Sequence, residues 1–426
     1  MTGYCSVKSR ERRNFLLDSL ASYGGAILTP ICVFVAVPVA LRQLDAANAG
    51  KFLVILSFSR LISGFDFGIA QLATPRLRSF ESQSRSRRSF CVSSISYLAC
   101  LSVVGTIPML LMALLSSTTI LQSISFRDII VLACLAFGFS LTTFAREFSG
   151  ALKIYRITFL ISCGASTSYL ALVFKFSAKI AEVLGLALAA YLIIQAVAII
   201  VLSSLNSRDQ IVLTDDSAPK FVWRTALMMQ AISVGNLATV QGPVVISSLL
   251  LDVEDVLQVA IAFQIASAVR LLGSSVSPFV LSQMSGMKNT EVFRMTSNAR
   301  PYWIFTLLIS SLFGVSFSAP VDRLLGAEHL NETNYRSVVI WGVVWGAIAL
   351  LPLIPITAFR NFLQLVPEML LSAVSIASFF LLALGTWYTR SASVTLAISM
   401  CAIVLGAALA ELLFIHFGKK LRTSLS

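Results

Sequence analysis

Three charged residues stand inside apolar runs long enough to cross a bilayer. Arg60 and Asp66 lie in "SFSRLISGFDFGIAQLATPRLRSF" (57–80), and Arg270 lies in "VLQVAIAFQIASAVRLLGSSVSPFV" (256–280). A charge at the centre of a lipid-facing helix costs about 2.5–3.5 kcal/mol on insertion scales. These groups should therefore face one another or a wet cavity.

Spacing by three, four and seven residues keeps side chains on one helical face. Ser57, Arg60, Gly64 and Gln71 share such a face, with Ser59, Ser63 and Asp66 beside it. Ser267, Arg270, Ser274 and Ser277 form a second polar stripe, more than an isolated salt bridge requires. A third run, "FVWRTALMMQAISVGNLATVQGPVVISSLL" (221–250), puts Gln230, Ser233 and Gln241 on one face, with Asn236 to the side. Its Gly242-Pro243 step interrupts the hydrogen-bond ladder, as Pro30 and Pro38 do in the first run. Such breaks serve either as bends beside a cavity or as ordinary packing kinks. Arg146 beside Glu147 fits an internal ion pair as readily as a cavity group, and Asp66 fits a counter-charge as readily as a ligand. Glu411 and His416, near Lys419 and Lys420, read as interfacial pairing. The candidate substrate-binding residues are Arg60, Asp66, Arg270, Gln230, Ser267, Ser274 and Arg146.

The elements that must hold these residues follow from composition. Of 426 residues, 57% are apolar and 12% charged, and the mean hydropathy is +0.85. Soluble chains carry about 25% charged residues. The fold class expected is all-α and integral to the membrane, with about twelve transmembrane helices. The spans read as 15–41, 51–74, 90–115, 129–152, 156–177, 180–204, 221–250, 256–282, 301–321, 337–358, 366–387 and 393–417. The basic N-terminus and the length of the first run point to a retained helix rather than a cleaved leader.

Alternate loops differ sharply in charge. One set holds only Arg42, Lys51, Arg127, Lys175, Lys179, Arg323, Arg336 and Arg390, while the other holds most of the 32 Lys and Arg. Basic residues accumulate on the cytoplasmic side, which makes both termini cytoplasmic. The linker 206–220 divides the chain into lobes 1–205 and 221–426, each with six helices. An even number per half gives a parallel repeat about a pseudo-two-fold axis along the membrane normal. A faint repeat accompanies this. Leu44-Asp45 and Leu251-Asp252 precede comparable helices, and Ser57, Arg60 and Gly64 match Ser267, Arg270 and Ser274 at a slightly different offset.

Several functions drop out. Seven cysteines without a CxxC, and the distant His329 and His416, offer no disulfide framework or metal pair. No cofactor is expected. A Walker-type phosphate loop is absent from the sequence, so ATP is not the direct energy source. There is no basic domain to hold nucleic acid, and no catalytic constellation, so the chain does not read as an enzyme.

The stretch "PVALRQLDAANAGKFLVILSFSRLISGFDFGIAQLATPRL" resembles the N-terminal signature of the polysaccharide (O-antigen type) flippases of the MOP exporter superfamily. The carrying residues are Leu44, Gly50, Asp66-Phe67-Gly68-Ile69 and Arg76, with Asp45 standing where the pattern has glycine. The resemblance implies a V-shaped pair of six-helix lobes around a cationic cavity in the bacterial cytoplasmic (inner) membrane. It also implies flipping of an undecaprenyl-diphosphate-linked oligosaccharide for surface polysaccharide synthesis, with other polysaccharide assembly proteins as partners beside the lipid bilayer. Arginine forks suit a diphosphate, and the prenyl tail could stay in lipid. The rivals are a multidrug or cation antiporter of the same superfamily, expected to favour an acidic cavity, and a membrane-embedded glycan polymerase or ligase, expected to need a larger outer loop.

Overall fold

The computed structural model describes residues 42–65, 84–115, 119–152, 154–175, 181–206, 223–274, 332–352 and 365–423, with single positions between 17 and 39 and between 291 and 298. The expected span 301–321, all of the linker 206–220 except Asn206, and Asp66, Arg76, Ser277, Pro30 and Pro38 lie outside the described residues.

The described elements are helical. They are α1 (Ala46–Ser63), α2 (Ser84–Val104), α3 (Thr106–Leu115), α4 (Thr119–Gln122), α5 (Phe126–Ala151), α6 (Tyr155–Lys175), α7 (Ala181–Asn206), α8 (Trp223–Val240), α9 (Gly242–Leu250), α10 (Val253–Ser274), α11 (Glu332–Ile348), α12 (Leu365–Thr389) and α13 (Ala392–Thr423). Six spans among them are long and apolar enough to cross a membrane, or seven with the bent α8–α9 pair taken as one. The bend is 54° and falls at the expected Gly242-Pro243 step. Pro243 sits in the first turn of α9, where its missing N–H costs nothing.

Where the apolar runs carry small residues, the helices come close. Gly342 and Gly346 of α11 lie against α10, where an added Cβ would stand 2.6 Å from the Ala262 carbonyl oxygen and 2.7 Å from that of Ala266. Large apolar side chains such as Leu160, Ile194, Phe380, Leu384 and Leu412 remain exposed, as lipid-facing positions should. One apolar core includes Phe52, Leu53 and Leu56 of α1 together with Val259, Ala260 and Phe263 of α10. A second, containing Leu98, Phe144, Phe148 and Ile199, fills the space between α2, α5 and α7.

Several spans differ from their sequence reading. The expected 51–74 helix starts at Ala46 and stops at Ser63, where Gly64 is its C-cap, and the expected 337–358 helix is Glu332–Ile348, followed by turns. The expected 90–115 helix begins at Ser84 and is interrupted at Gly105, whose Cβ would meet Ile62 at 2.4 Å. The polar start "SRSRRS" hid that opening turn and a half. The last helix runs on to Thr423, because Lys419 and Lys420 continue the helical phase beyond the apolar run.

The topology has a direct test. Single cysteines at Ser84 and Ser337, in a variant without the native cysteines, are expected to label with an impermeant maleimide from opposite faces. Labelling from one face would break the six-plus-six arrangement.

Candidate functional site

Asp45 starts α1: its side-chain oxygens accept from the backbone N–H of Asn48 at 2.8 Å and from that residue's amide at 3.0 Å. This N-cap fixes where the helix begins, and so the depth and direction of Ser57 and Arg60 three turns later. The helix ends at Ser63, with Gly64 as its C-cap, so Arg60 stands in its last turn.

Arg60 is half-buried where α1 packs along α10. Its Nη1 donates to Gln264 Oε1 of α10 at 2.8 Å. Its Cζ stands 5.6 Å from the centroid of the Phe139 ring of α5, in cation–π range. Gln264 is itself buried and donates through Nε2 to Ser57 Oγ at a long 3.5 Å. Arg270, half-buried on the same helix, donates to Asn236 Oδ1 of α8 at 3.4 Å. Gln230, also on α8, donates to the Gly64 carbonyl at 3.3 Å. Its Oε1 is buried and has no hydrogen-bond partner among the described residues. The same holds for Ser267 Oγ. Beneath these groups, Gly64 lies so close to Leu237 of α8 that any Cβ there would collide with its side chain.

Four of the predicted residues therefore lie on three helices that bond to one another: Arg60 of α1 reaches α10, Gln230 of α8 reaches Gly64, and Arg270 of α10 reaches α8, with Ser267 on α10 between Gln264 and Arg270. Ser274 closes α10, but its side chain lies outside the described ones. Asp66 is not described. Arg146 stands apart on α5, with Tyr191 and Glu147 as its electrostatic neighbours, and its Nη2 is buried without a hydrogen-bond partner among the described residues.

Sequence reasoning missed Gln264, because a lone amide in "AIAFQIASAV" carries no charge. It also missed a neutral network in the first half. Thr29 Oγ1 donates to Gln195 Oε1 at 3.2 Å, and Gln195 Nε2 donates to Ser162 Oγ at 2.8 Å. Nearby, Ser166 and Tyr191 hydroxyls pair at 2.9 Å. Among the described residues, no cluster of His, Cys, Asp and Glu could hold a metal.

Solved structures share this arrangement. An inward-facing multidrug resistance MATE family transporter of the MOP superfamily superposes with a TM-score of 0.67, at 12% identity over 96% of this chain and 96% of that one. The outward-facing form of such a transporter gives 0.57, at 16% identity over 96% of each chain. The Vibrio cholerae MATE transporter VcmN in its bent form gives 0.56, at 14% identity over 97% of this chain and 98% of that one. The fold is theirs. It is all-α, of about twelve membrane helices in two six-helix lobes related by a pseudo-two-fold axis along the membrane normal. No known family's sequence profile matches the chain, and no curated protein does. The Arg60 seam lies between α1 and α10, which pack against each other.

Proposed function

We propose that this chain is a secondary transporter that moves an organic solute across a membrane by alternating access at the seam between its halves. The observation that carries this reading is Arg60. A half-buried guanidinium in the last turn of α1 is held across the seam by a neutral amide, so its charge stays available to a polar solute. The lobes are proposed as 1–205 and 221–426 around the linker 206–220, with both termini cytoplasmic and the inner membrane as location.

For the substrate, the solved structures of this fold support the multidrug or cation antiporter better than they support an oligosaccharide flippase, since those named are multidrug transporters. Export of a drug-like solute against an ion gradient is thus the first reading.

A second reading has its own observation, the sign of the charge. Arg60 donates across the seam to Gln264 and Arg270 donates to Asn236 within the second half, and guanidinium groups repel cations and fit phosphate. That favours an undecaprenyl-diphosphate-linked oligosaccharide, flipped between leaflets for surface polysaccharide synthesis. The motif around Asp66-Phe67-Gly68 supports the same reading.

Proteoliposomes separate the two. Given an imposed proton or sodium gradient, the first reading expects net movement of ethidium or of an anionic dye. The second expects leaflet exchange of a fluorescent undecaprenyl-diphosphate glycan with neither dye moved. Movement of none of the three would refute the transporter reading.

A further inference from the structure

The internal repeat acquires a definite register once the helices are visible. α1 begins one residue after Asp45, and α10 one residue after Asp252. Ser57 and Gln264 are separated by 207 positions, the same offset as those two aspartates, so they are equivalent residues of the repeat. They are also hydrogen-bonded to each other, Gln264 Nε2 to Ser57 Oγ at 3.5 Å. Two equivalent residues of a two-fold arrangement touch only where the axis passes between them. The pseudo-two-fold axis therefore runs beside Gln264. In this register the counterpart of Arg60 is Ser267 rather than Arg270. Ser267 is too short to reach across as Arg60 does, and its buried hydroxyl has no partner among the described residues.

The asymmetry at the axis gives Gln264 two tasks at once. Its Oε1 accepts a charge-assisted bond from Arg60 at 2.8 Å, and its Nε2 donates to Ser57. Gln264 is 3% exposed and Ser57 is fully buried, so water does not compete for these bonds. Arg60 has a fixed wall from its own half, the Phe139 ring, and a partner from the other half that can be withdrawn.

We propose that Gln264 is a positioning residue and an interlobe latch: it holds Arg60 and Ser57 across the seam between α1 and α10, and releases both when the halves part there. Arg60 then exchanges Gln264 for the solute, so closure and solute capture compete for one guanidinium. The consequence for transport rests on the alternating-access reading; the latch itself does not.

The test reads the latch without a substrate. A single cysteine at Ser59, buried beside Arg60, in a variant without native cysteines, is labelled in proteoliposomes by an impermeant maleimide added to each side in turn. Hydrogen bonds to charged groups are strong enough that Gln264→Ala is expected to raise the labelling rate about tenfold or more. Gln264→Glu, which replaces the amide bond with an ion pair, is expected to lower it. The Gln264→Ala effect should vanish when Arg60→Ala is already present, whereas lost packing alone would act in both backgrounds. If Gln264→Ala does not reach the membrane, Gln264→Asn, too short to span the seam, is expected to give the same rise. A rate unchanged by loss of the amide, or changed equally with and without Arg60, would overturn the latch. A failed solute assay would leave it standing.

Discussion

Replacing Asp128 with alanine is expected to destabilise the protein by about 3–5 kcal/mol, the usual cost of stripping one partner from a buried ion pair. Asp128 Oδ2 accepts from Lys51 Nζ at 3.2 Å, and from the backbone N–H and hydroxyl of Ser125 at 2.8 Å each. The two charged side chains are 11% and 0% exposed. The pair joins the second turn of α1 to the first turn of α5, which fixes the N-terminal end of the helix that carries Arg60. Without the carboxylate, Lys51 is left with its ammonium in a nearly dry site, and Ser125 loses its cap partner. The measurement is membrane abundance together with thermal unfolding in detergent. Asp128→Ala should lower both steeply, and Asp128→Asn should do less harm because it keeps an acceptor for Ser125. Removing both charges together, as Lys51→Met with Asp128→Leu, should recover much of the loss, since a buried pair contributes little net stability over apolar packing. A stable Asp128→Ala protein would mean that water reaches Lys51.

Much of this architecture could be read from the chain because lipid is an unforgiving solvent. A run such as 129–152 has no alternative to a helix when its backbone groups must be satisfied internally, and α5 covers it as Phe126–Ala151. The bend at Gly242-Pro243 was legible for the same reason, since proline removes a donor wherever it stands. That Arg60 and Arg270 must find polar partners inside the helix bundle was legible because a charge in an apolar run has few places to go, and both do, at Gln264 and Asn236. Neutral polar groups give no such signal. Gln264 and Gln195 are as buried as the leucines around them, and only their partners on distant helices reveal what they do. The sequence offered two offsets for the repeat, 207 from Asp45 and Asp252 and 210 from Arg60 and Arg270; the helix starts and the Ser57–Gln264 bond share the first.

Arg270→Ala is expected to insert and fold normally yet lower affinity for an anionic solute about ten- to a hundredfold. The guanidinium lies half-buried on α10, one turn beyond Ser267, and donates to Asn236 of α8 at a weak 3.4 Å. A bond of that length is easily exchanged for a phosphate or carboxylate oxygen, which accepts from arginine at closer range and with opposite charge. Losing a hydrogen bond to a charged group costs about 1.5–3 kcal/mol, and each 1.4 kcal/mol is about tenfold in affinity. Arg270→Lys should keep part of the affinity, because it retains the charge and loses the fork. Arg60→Ala should act in the same direction, and it should also loosen the seam through Gln264, which Arg270→Ala should not. A purely structural arginine predicts another pattern: lower abundance or a lower unfolding temperature, with each surviving molecule transporting at the normal rate. Abundance and per-molecule translocation measured on the same preparations separate the two, and translocation unchanged by Arg270→Ala would remove that residue from the site.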